Sequence, residues 1–350
     1  MDTLVQYGFT DRIGGLFSFH FPDPGTAQPA RVIRADRGRV LVAARHGIVH
    51  LDGGTSLVTG DWAAIGPDGG TVIGHLPRFS LLQRKRAYDP LSEAQILGAN
   101  IDVLGVVIPL DRPLSTNRLE RTLVAAWDSG AVPVIILTKA DLSTRFDVVV
   151  AETIQRARGV EVFTTSAEQR DGLEDLRWRI GAGQTLALLG PSGAGKSSLI
   201  NALVGDPRQD TGEVRAGDGR GRHTTTAREL VPLGDGAVVM DTPGLRGFAL
   251  WDAENGLSEV FGDVEELFGN CRFRDCVHVR EPGCAVQAAI TSGDLEERRW
   301  LSYRKMEREL ASLRRRQDVA EQRRLGKESH RTVKDAALAK DYRNRFREGL

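Results

Sequence analysis

The sequence has only 3 cysteines in 350 residues, and it contains no apolar run long enough to cross a bilayer. So few cysteines exclude the disulfide framework of a small secreted domain. The first ten residues lack both the basic start and the apolar stretch of a signal peptide. We therefore expect a protein of the reducing cytoplasm with no membrane segment.

An excess of charge of either sign is also missing, since 47 Lys and Arg residues balance 47 Asp and Glu residues. The balance hides a local asymmetry: residues 301–350 carry 15 basic and 8 acidic side chains, a net charge of +7 by subtraction. This basic end predicts a polyanionic partner, although a solvated helix face gives the same pattern.

Turn residues and apolar periodicity divide the chain into a multi-domain protein. Residues 1–30, rich in Gly and Pro, are expected to form an irregular N-terminal extension. Five short β-like runs follow, near 31–35, 39–44, 48–51, 61–65 and 71–76, and they predict an OB-like β-barrel over 31–90, or another small β module. Apolar strands alternating with amphipathic helices over 91–250 predict an α/β domain with a parallel sheet. We expect a mostly helical domain over 251–320 and a basic tail over 321–350.

A phosphate-binding loop follows one of the apolar strands and begins a helix. Residues 190–197 match the pattern G-x-x-x-x-G-K-[ST], and the predicted nucleotide contacts are Gly190, Pro191, Ser192, Gly193, Ala194, Gly195, Lys196, Ser197 and Ser198. Glycines let successive backbone N–H groups point at phosphate oxygens, next to the positive end of the helix. Lys196 is predicted to reach the β- and γ-phosphates, and Ser197 to bind Mg²⁺.

A base-recognition motif precedes this loop in the chain. Thr138-Lys139-Ala140-Asp141 closes an apolar strand, and the Asp141 carboxylate can accept hydrogen bonds from guanine that adenine does not offer. The motif resembles the [NT]-K-x-D signature of the translation-factor-related GTPases, with Thr in place of the commoner Asn. Ser166-Ala167 follows the next strand, as the family's contact to the guanine oxygen does. Together these residues favour GTP over ATP.

Two further segments resemble the switch regions of that family. Asp241-Thr242-Pro243-Gly244 is similar to its D-x-x-G motif, in which Asp241 would hold Mg²⁺ through water and Gly244 would contact the γ-phosphate. A threonine of the segment 221–226 is expected to bind Mg²⁺; we favour Thr225, with Thr224 as the alternative.

The residue after D-x-x-G is Leu245, which cannot orient water as a Gln does at this position in other GTPases. His223 is the best nearby candidate for that role, and Lys196 and Asp241 are the other two predicted catalytic residues. A loop histidine that faces solvent is the alternative.

The base motifs come before the phosphate loop, which is the reverse of the usual order. Joining the original termini and cutting the chain between the two halves leaves the same sheet, so the order predicts a circular permutation. The segment after the D-x-x-G motif then leads directly into the C-terminal domain.

All three cysteines fall in a short segment, Cys271, Cys276 and Cys284, with His278 among them. The spacing C-x4-C-x-H-x5-C offers three thiolates and one imidazole, the closed set of ligands that structural Zn²⁺ takes. We therefore predict one structural zinc ion.

The combination of a β-barrel, a permuted GTPase domain and this zinc segment resembles the RsgA (YjeQ) family over roughly residues 31–290. Further matching pieces are Gly60-Asp61-Trp62 and Ala99-Asn100-Ile101-Asp102. The resemblance implies a monomeric, Mg²⁺-dependent enzyme that converts GTP to GDP and phosphate and is stimulated by the small ribosomal subunit. It also implies that the barrel and the zinc domain bind 16S rRNA, and that hydrolysis accompanies late 30S maturation and release of assembly factors.

The residues alone support an RNA partner more weakly, through Arg84-Lys85-Arg86 and the basic C-terminus. Two alternatives stay open: a P-loop ATPase or kinase with an accessory β domain, and an RNA-binding chaperone that binds GTP with negligible turnover.

Overall fold

The computed structural model describes residues 2–319, except residues 24, 37, 53–55, 86–93, 158, 206–227 and 242–252, and also residue 322. Helices and strands are numbered below in chain order. None of the helices in the described part of the chain combines the length and the apolar character that a membrane span requires.

Five antiparallel strands form the N-terminal β domain within the described residues: β1 (Gln28–Asp36), β2 (Arg39–Ala44), β3 (Gly47–Asp52), β4 (Trp62–Ile65) and β5 (Val72–His75). Their order in the sheet is β3-β2-β1-β4-β5, so β1 lies at the centre. Val32, Val42 and Ile65 are buried between the strands and form much of the domain's core. The five predicted β-runs are thus confirmed, each within a few residues of its predicted ends.

The expectation that residues 1–30 are irregular is wrong. They contain helices α1 (Thr3–Gln6) and α2 (Asp11–His20). The Asp2 side chain accepts a hydrogen bond from the Leu4 N–H at 2.9 Å, so it caps the first helix. Both helices bury apolar side chains against the β domain, in a cluster of Leu4, Ile13, Phe17, Trp62, Ala64 and Leu76. Packing on the sheet therefore stabilises a first helix of only four residues and a second helix with two glycines, neither of which is stable from its local sequence alone.

A hairpin of β6 (Leu81–Lys85) and β7 (Ala94–Ala99) follows the β domain. The sequence pattern did not predict it. Leu82 and Leu97 are buried in the core of the central domain rather than in the β domain. The domain boundary expected at residues 90 and 91 consequently falls between the two strands of one hairpin.

The central domain is an α/β sheet with a strand order of β10-β9-β8-β11-β13-β12 among the described residues. Its strands are β8 (Val103–Pro109), β9 (Val132–Thr138), β10 (Glu161–Thr164), β11 (Thr185–Leu189), β12 (Glu229–Pro232) and β13 (Val238–Asp241). All neighbours pair in parallel except β12 and β13. The predicted parallel sheet is therefore confirmed, with an antiparallel strand at one edge.

Helices cover both faces of this sheet: α3 (Thr116–Asp128), α4 (Phe146–Arg156), α5 (Leu173–Arg179) and α6 (Lys196–Val204). One apolar cluster joins α3 and α4 to the sheet, and a second joins α5 and α6 to its other face. Because both faces are covered, the central strands are apolar along their whole length.

The C-terminal domain consists of α7 (Glu254–Glu265), α8 (Ala285–Ser292) and a long helix α9 (297–319). Residue Phe261 interrupts α7 with a non-helical φ of −115°. Phe261, Trp300 and Met306 are buried in a cluster that also includes Val124 and Ala125 of α3. The C-terminal helices thus share a core with the central domain.

A buried carboxylate joins α3 to α9. The Glu120 side chain has no exposed surface. It accepts hydrogen bonds from Arg298 at 3.0 Å and from the Ser302 hydroxyl at 2.7 Å, and Arg299 lies at 3.4 Å. Removing one partner of such a cluster leaves buried charge without compensation.

We expect Glu120→Ala to destabilise the protein by about 1–3 kcal/mol, because the buried Ser302 hydroxyl loses its acceptor and the two arginines lose a shared partner. Glu307→Ala is the matched control, since Glu307 pairs with Arg304 on the exposed face of α9 and should contribute less than about 1 kcal/mol. Denaturant unfolding followed by circular dichroism measures both changes. Equal effects of the two substitutions would show that the buried cluster does not hold α9 in place.

Candidate functional site

The sequence-predicted nucleotide residues converge at one edge of the central sheet. Residues 138–141 follow β9, residues 166–167 follow β10, residues 190–197 join β11 to α6, and Asp241 ends β13. These strands are parallel, so their carboxyl ends lie at the same edge. Ligands of open α/β sheets bind at this edge.

The phosphate loop runs close to β8. A Cβ added to Gly190 would lie 2.6 Å from the Val107 carbonyl oxygen, so only glycine allows this approach. Gly193 and Gly195 both have positive φ, at 73° and 87°. Ala194 between them is buried, and Pro191, Ser192, Ser197 and Ser198 are half-buried. The backbone therefore curls as the motif predicts, with the start of α6 behind it.

Lys196 bends back across this loop. Its ammonium donates hydrogen bonds to the carbonyl oxygens of Gly190 and Pro191, both at 2.9 Å. Burial lowers the pKa of Lys196 to about 8, although the negative charge of Asp241 opposes the shift. Asp241 itself is 5% exposed at the end of β13. A buried cation near a carboxylate is an arrangement suited to phosphate and a divalent cation.

A hydrogen bond ties the base motif to the phosphate loop. The Thr138 hydroxyl donates to the Ala194 carbonyl oxygen at 2.6 Å, and Thr138 is buried. A Cβ built on Gly195 would lie 3.5 Å from the Thr138 hydroxyl, so the Thr138 side chain packs directly against the phosphate loop. Thr138, which stands where most members of the [NT]-K-x-D motif have Asn, thus has a defined partner in the phosphate loop.

Lys139 takes part in a charged network at the same edge. It has a left-handed backbone with φ of 60°, and its ammonium donates to Asp111 at 2.6 Å. Arg112 donates to the other oxygen of Asp111 at 2.9 Å and reaches the Gly193 carbonyl at 3.4 Å. Burial opposes the effect, but these hydrogen bonds hold the pKa of Asp111 below its usual range.

Sequence reasoning missed Asp111 and Arg112. Their signal is positional: they follow β8, the strand next to β9, at the same edge of the sheet.

Asp141 and Ser166 meet as the guanine motifs require. The Ser166 hydroxyl donates to Asp141 Oδ1 at 2.6 Å, and Ser166 is 1% exposed. The Gln169 N–H donates to the same hydroxyl at 3.1 Å, which orients it toward the carboxylate. Asp141 is exposed, while Ala140 and Ala167 are half-buried beside it. The Asp141 carboxylate is oriented by the Ser166 hydroxyl and is exposed to solvent, so it can accept hydrogen bonds from a base.

Several predicted residues lie outside the described part of the chain. They are His223, the two magnesium candidates Thr224 and Thr225, and Gly244. Their roles stay predictions.

The three cysteines and His278 form a second site, in the C-terminal domain. Their ligand atoms all lie within 4.8 Å of one another. The Nδ1 atom of His278 is 3.4 Å from Cys271 Sγ and 3.6 Å from Cys284 Sγ. A tetrahedral ion with ordinary Zn–S and Zn–N bonds places sulfur and nitrogen about 3.6 Å apart. The four side chains therefore fit a metal ion of this geometry.

Surrounding groups hold His278 in place. Its ring stacks on Phe268 with centroids 4.4 Å apart, and the Trp300 ring meets it edge-on at 5.9 Å. Gln287 donates to the His278 carbonyl at 2.9 Å, and His278 has a φ of 59°. Such supporting contacts fix the orientation of a metal ligand.

The predicted basic segment 84–86 is described only in part. The Arg84 side chain donates to Gln95 across the hairpin at 3.0 and 3.1 Å. Its guanidinium is therefore already held by a neutral partner.

The fold and site define a P-loop GTPase whose motifs occur in circularly permuted order. The profile of the family described as RsgA GTPase matches residues 75–251. Two similar relatives are named small ribosomal subunit biogenesis GTPase RsgA. The one from Streptomyces coelicolor is 44% identical over an alignment that covers 87% of this chain and 86% of the relative. The one from Streptomyces avermitilis is 46% identical, and the alignment covers 80% of this chain and 78% of the relative.

The structures agree. A crystal structure of YjeQ from Thermotoga maritima superposes with a TM-score of 0.58 at 28% identity, covering 81% of this chain and 99% of that one. A structure described as YloQ, a circularly permuted GTPase, has the same fold at a TM-score of 0.57 and 23% identity. The chain belongs to the RsgA GTPase family, and it hydrolyses GTP.

The lowered pKa of Lys196 predicts a pH-dependent affinity for GDP. Below about pH 8 the Lys196 ammonium is charged and binds phosphate. Above about pH 8 the Lys196 amine of the free protein is neutral and must take up a proton when GDP binds. Affinity should therefore fall about tenfold between about pH 7 and about pH 9. Titration with fluorescent GDP measures this slope. Lys196→Arg, which keeps its charge, should give a flat profile, and a flat wild-type profile would contradict the assignment of Lys196.

Proposed function

We propose that this protein acts in the biogenesis of the small ribosomal subunit, as a GTPase whose turnover the subunit stimulates. The observation that carries the proposal is the Thr138–Ala194 hydrogen bond, which joins the base motif and the phosphate loop into one guanine-nucleotide site. The names of the relatives supply the biological setting.

In this proposal the nucleotide lies along the carboxyl edge of the sheet. Asp141, oriented by Ser166, accepts hydrogen bonds from guanine. The backbone of 190–197 surrounds the phosphates, and Lys196 exchanges its two carbonyl partners for phosphate oxygens. Ser197 and Asp241 would hold Mg²⁺, with Thr225 as the third group.

Hydrolysis is an attack of water on the γ-phosphate that yields GDP and phosphate. Lys196 neutralises charge that develops on the phosphate oxygens, and a Mg²⁺ ion bound beside it would supply further positive charge there. His223 orients the water in place of the missing Gln, and the subunit brings it into position. Turnover of the isolated protein is therefore slow.

The Cys271, Cys276, His278 and Cys284 cluster holds one structural zinc ion. Four protein ligands leave no open position for a catalytic water. The segment that the ion joins lies between α7 and α8, where buried apolar residues are few, so the metal supplies folding energy that a core would otherwise provide.

The surface of this metal-binding loop suits RNA. Arg272, Phe273, Arg274 and Arg280 are exposed, and the Arg272 guanidinium lies 5.4 Å from the Phe273 ring centroid. Arginines bind phosphates, and an exposed aromatic ring can stack on an unpaired base. We assign this loop and the β domain to contacts with 16S rRNA. The protein acts as a cytoplasmic monomer, and hydrolysis accompanies release of assembly factors during late 30S maturation.

Zinc content tests the metal assignment. The purified protein should contain about one zinc ion per chain, and Cys276→Ser should lose most of it, because three ligands hold the ion far more weakly. Elemental analysis gives the content, and thermal unfolding gives the stability, which should fall by several degrees. Val277→Ala, an exposed neighbour, is the control. A zinc-free wild type of unchanged stability would exclude a structural zinc.

GTP turnover with purified small ribosomal subunits tests the function. Turnover should rise at least about tenfold over the isolated protein, equivalent to about 1.4 kcal/mol of transition-state stabilisation. Large subunits are the control and should leave the rate unchanged. Rates that stay negligible with small subunits would favour the RNA-binding chaperone, and equal use of ATP would favour a P-loop ATPase.

A further inference from the structure

The segments Gly60-Asp61-Trp62 and Asn100-Ile101-Asp102 take no part in the nucleotide site. They meet where the β domain joins the amino edge of the central sheet. A Cβ on Gly60 would lie 2.1 Å from the Ala99 carbonyl oxygen, so only glycine allows the two backbones this close. The Asn100 amide donates to the Gly60 carbonyl at 2.9 Å. The two segments thus form the joint between the domains.

Arg31, from the central strand of the β domain, lies inside this joint. It is 2% exposed, and its guanidinium lies 4.4 Å from the Trp62 ring centroid. Its Nη2 atom donates to the Asn100 carbonyl at 3.2 Å and to the Thr185 hydroxyl at 3.0 Å. Burial lowers the pKa of Arg31 to about 10, against the charges of Asp102 and Asp61, so the side chain stays charged at neutral pH.

Thr185 is the first residue of β11, the strand that ends directly before the phosphate loop. All five residues of β11 are buried, and the strand pairs with β8 on one side and β13 on the other. At about 3.3 Å per residue, Thr185 lies about 16 Å from Gly190 along the strand. A strand held on both sides moves as a unit, so a displacement at Thr185 reaches the phosphate loop.

The Arg31 side chain also contacts the segment before β8, the strand that pairs with β11. Asn100, its other acceptor, lies just before β8, and the carboxyl end of β8 contacts Gly190 through Val107. Asp102 and Thr185 are joined by two further hydrogen bonds, at 2.9 and 3.0 Å. One buried cation of the β domain therefore holds the amino ends of both strands whose far ends shape the phosphate loop.

An apolar residue of similar volume would fill this position without the desolvation penalty of a buried charge. What the arginine adds is a set of directional bonds across the joint. We propose that Arg31 is a positioning residue for GTP hydrolysis on the small subunit. When the β domain binds the subunit, Arg31 transmits the resulting displacement through Thr185 and β11 to the phosphate loop. The inference rests on the proposed function, because it assigns the route of that stimulation.

Two substitutions remove this contact and leave the β domain attached. Arg31→Met keeps the volume against Trp62, and Thr185→Val removes the hydroxyl without changing the side-chain shape. The domains stay joined by the Asn100–Gly60 bond and by the ion pair of Arg34 with Glu229 at 3.4 Å. Arg39→Met is the matched control, since Arg39 lies on the neighbouring strand with its side chain 71% exposed.

Four quantities are measured for each variant: kcat and KM for GTP without subunits, affinity for small subunits, and kcat with saturating subunits. We expect the first three to stay within about twofold of wild type, because Arg31 is buried and touches neither nucleotide nor RNA. Stimulated kcat should fall about tenfold in both single variants and no further in the double variant, because the proposed route runs through the Arg31–Thr185 hydrogen bond, which both variants remove. Arg39→Met should behave as wild type.

Undiminished stimulation of Thr185→Val would overturn the inference, and this variant decides the matter if Arg31→Met does not fold. A parallel loss of basal and stimulated kcat would also overturn it, since that pattern indicates only a structural role. A stimulated kcat of the double variant that falls by the product of the two single losses would also overturn the inference, because the two residues would then act independently. A wild-type protein that subunits fail to stimulate refutes the proposed function and this inference with it, whereas stimulated wild type with fully stimulated variants refutes the inference alone.

Discussion

Parallel pairing of β9, β8 and β11 is the constraint on which the rest of the molecule depends. Because the three strands run in one direction, the segments that follow them meet at one edge, whatever their order in the chain. The hydrogen bond from the Thr138 hydroxyl to the Ala194 carbonyl closes that edge across 56 residues of sequence. A circular permutation therefore leaves the nucleotide site intact, since the sheet brings the motifs together and the connecting loops do not.

Buried charges join the two outer domains to this sheet. Glu120 of the central domain binds the C-terminal helix α9, and Arg31 of the β domain binds the amino edge of the central sheet. Each makes hydrogen bonds across a boundary between domains. Since an unpaired charge is expensive in such surroundings, these contacts hold the domains in one arrangement.

The loop with Cys271, Cys276, His278 and Cys284 differs from these domain boundaries, because little of it is buried. Most of its residues are exposed, and Phe268 and Trp300 are the aromatic rings that pack on His278. In such a segment, four side chains placed to bind one metal ion can supply the stability that a larger core would give. Its exposed arginines consequently stay available to a polyanionic partner while the loop keeps its shape.

The amino-acid sequence by itself determined the order of the motifs, most strands and helices of the central sheet, and the cluster of three cysteines with one histidine. Each of these depends on neighbours in the chain: the G-x-x-x-x-G-K-S spacing, apolar runs between turn residues, and cysteines a few residues apart. Only the tertiary structure decided that residues 1–30 contain helices, because their stability comes from Trp62 and Leu76 rather than from local propensity. The same holds for the hairpin of β6 and β7, for Asp111 beside Lys139, and for Arg31 beside Thr185. Partners 28 and 154 positions apart leave no periodic signal, since their contact exists only once the sheet has formed.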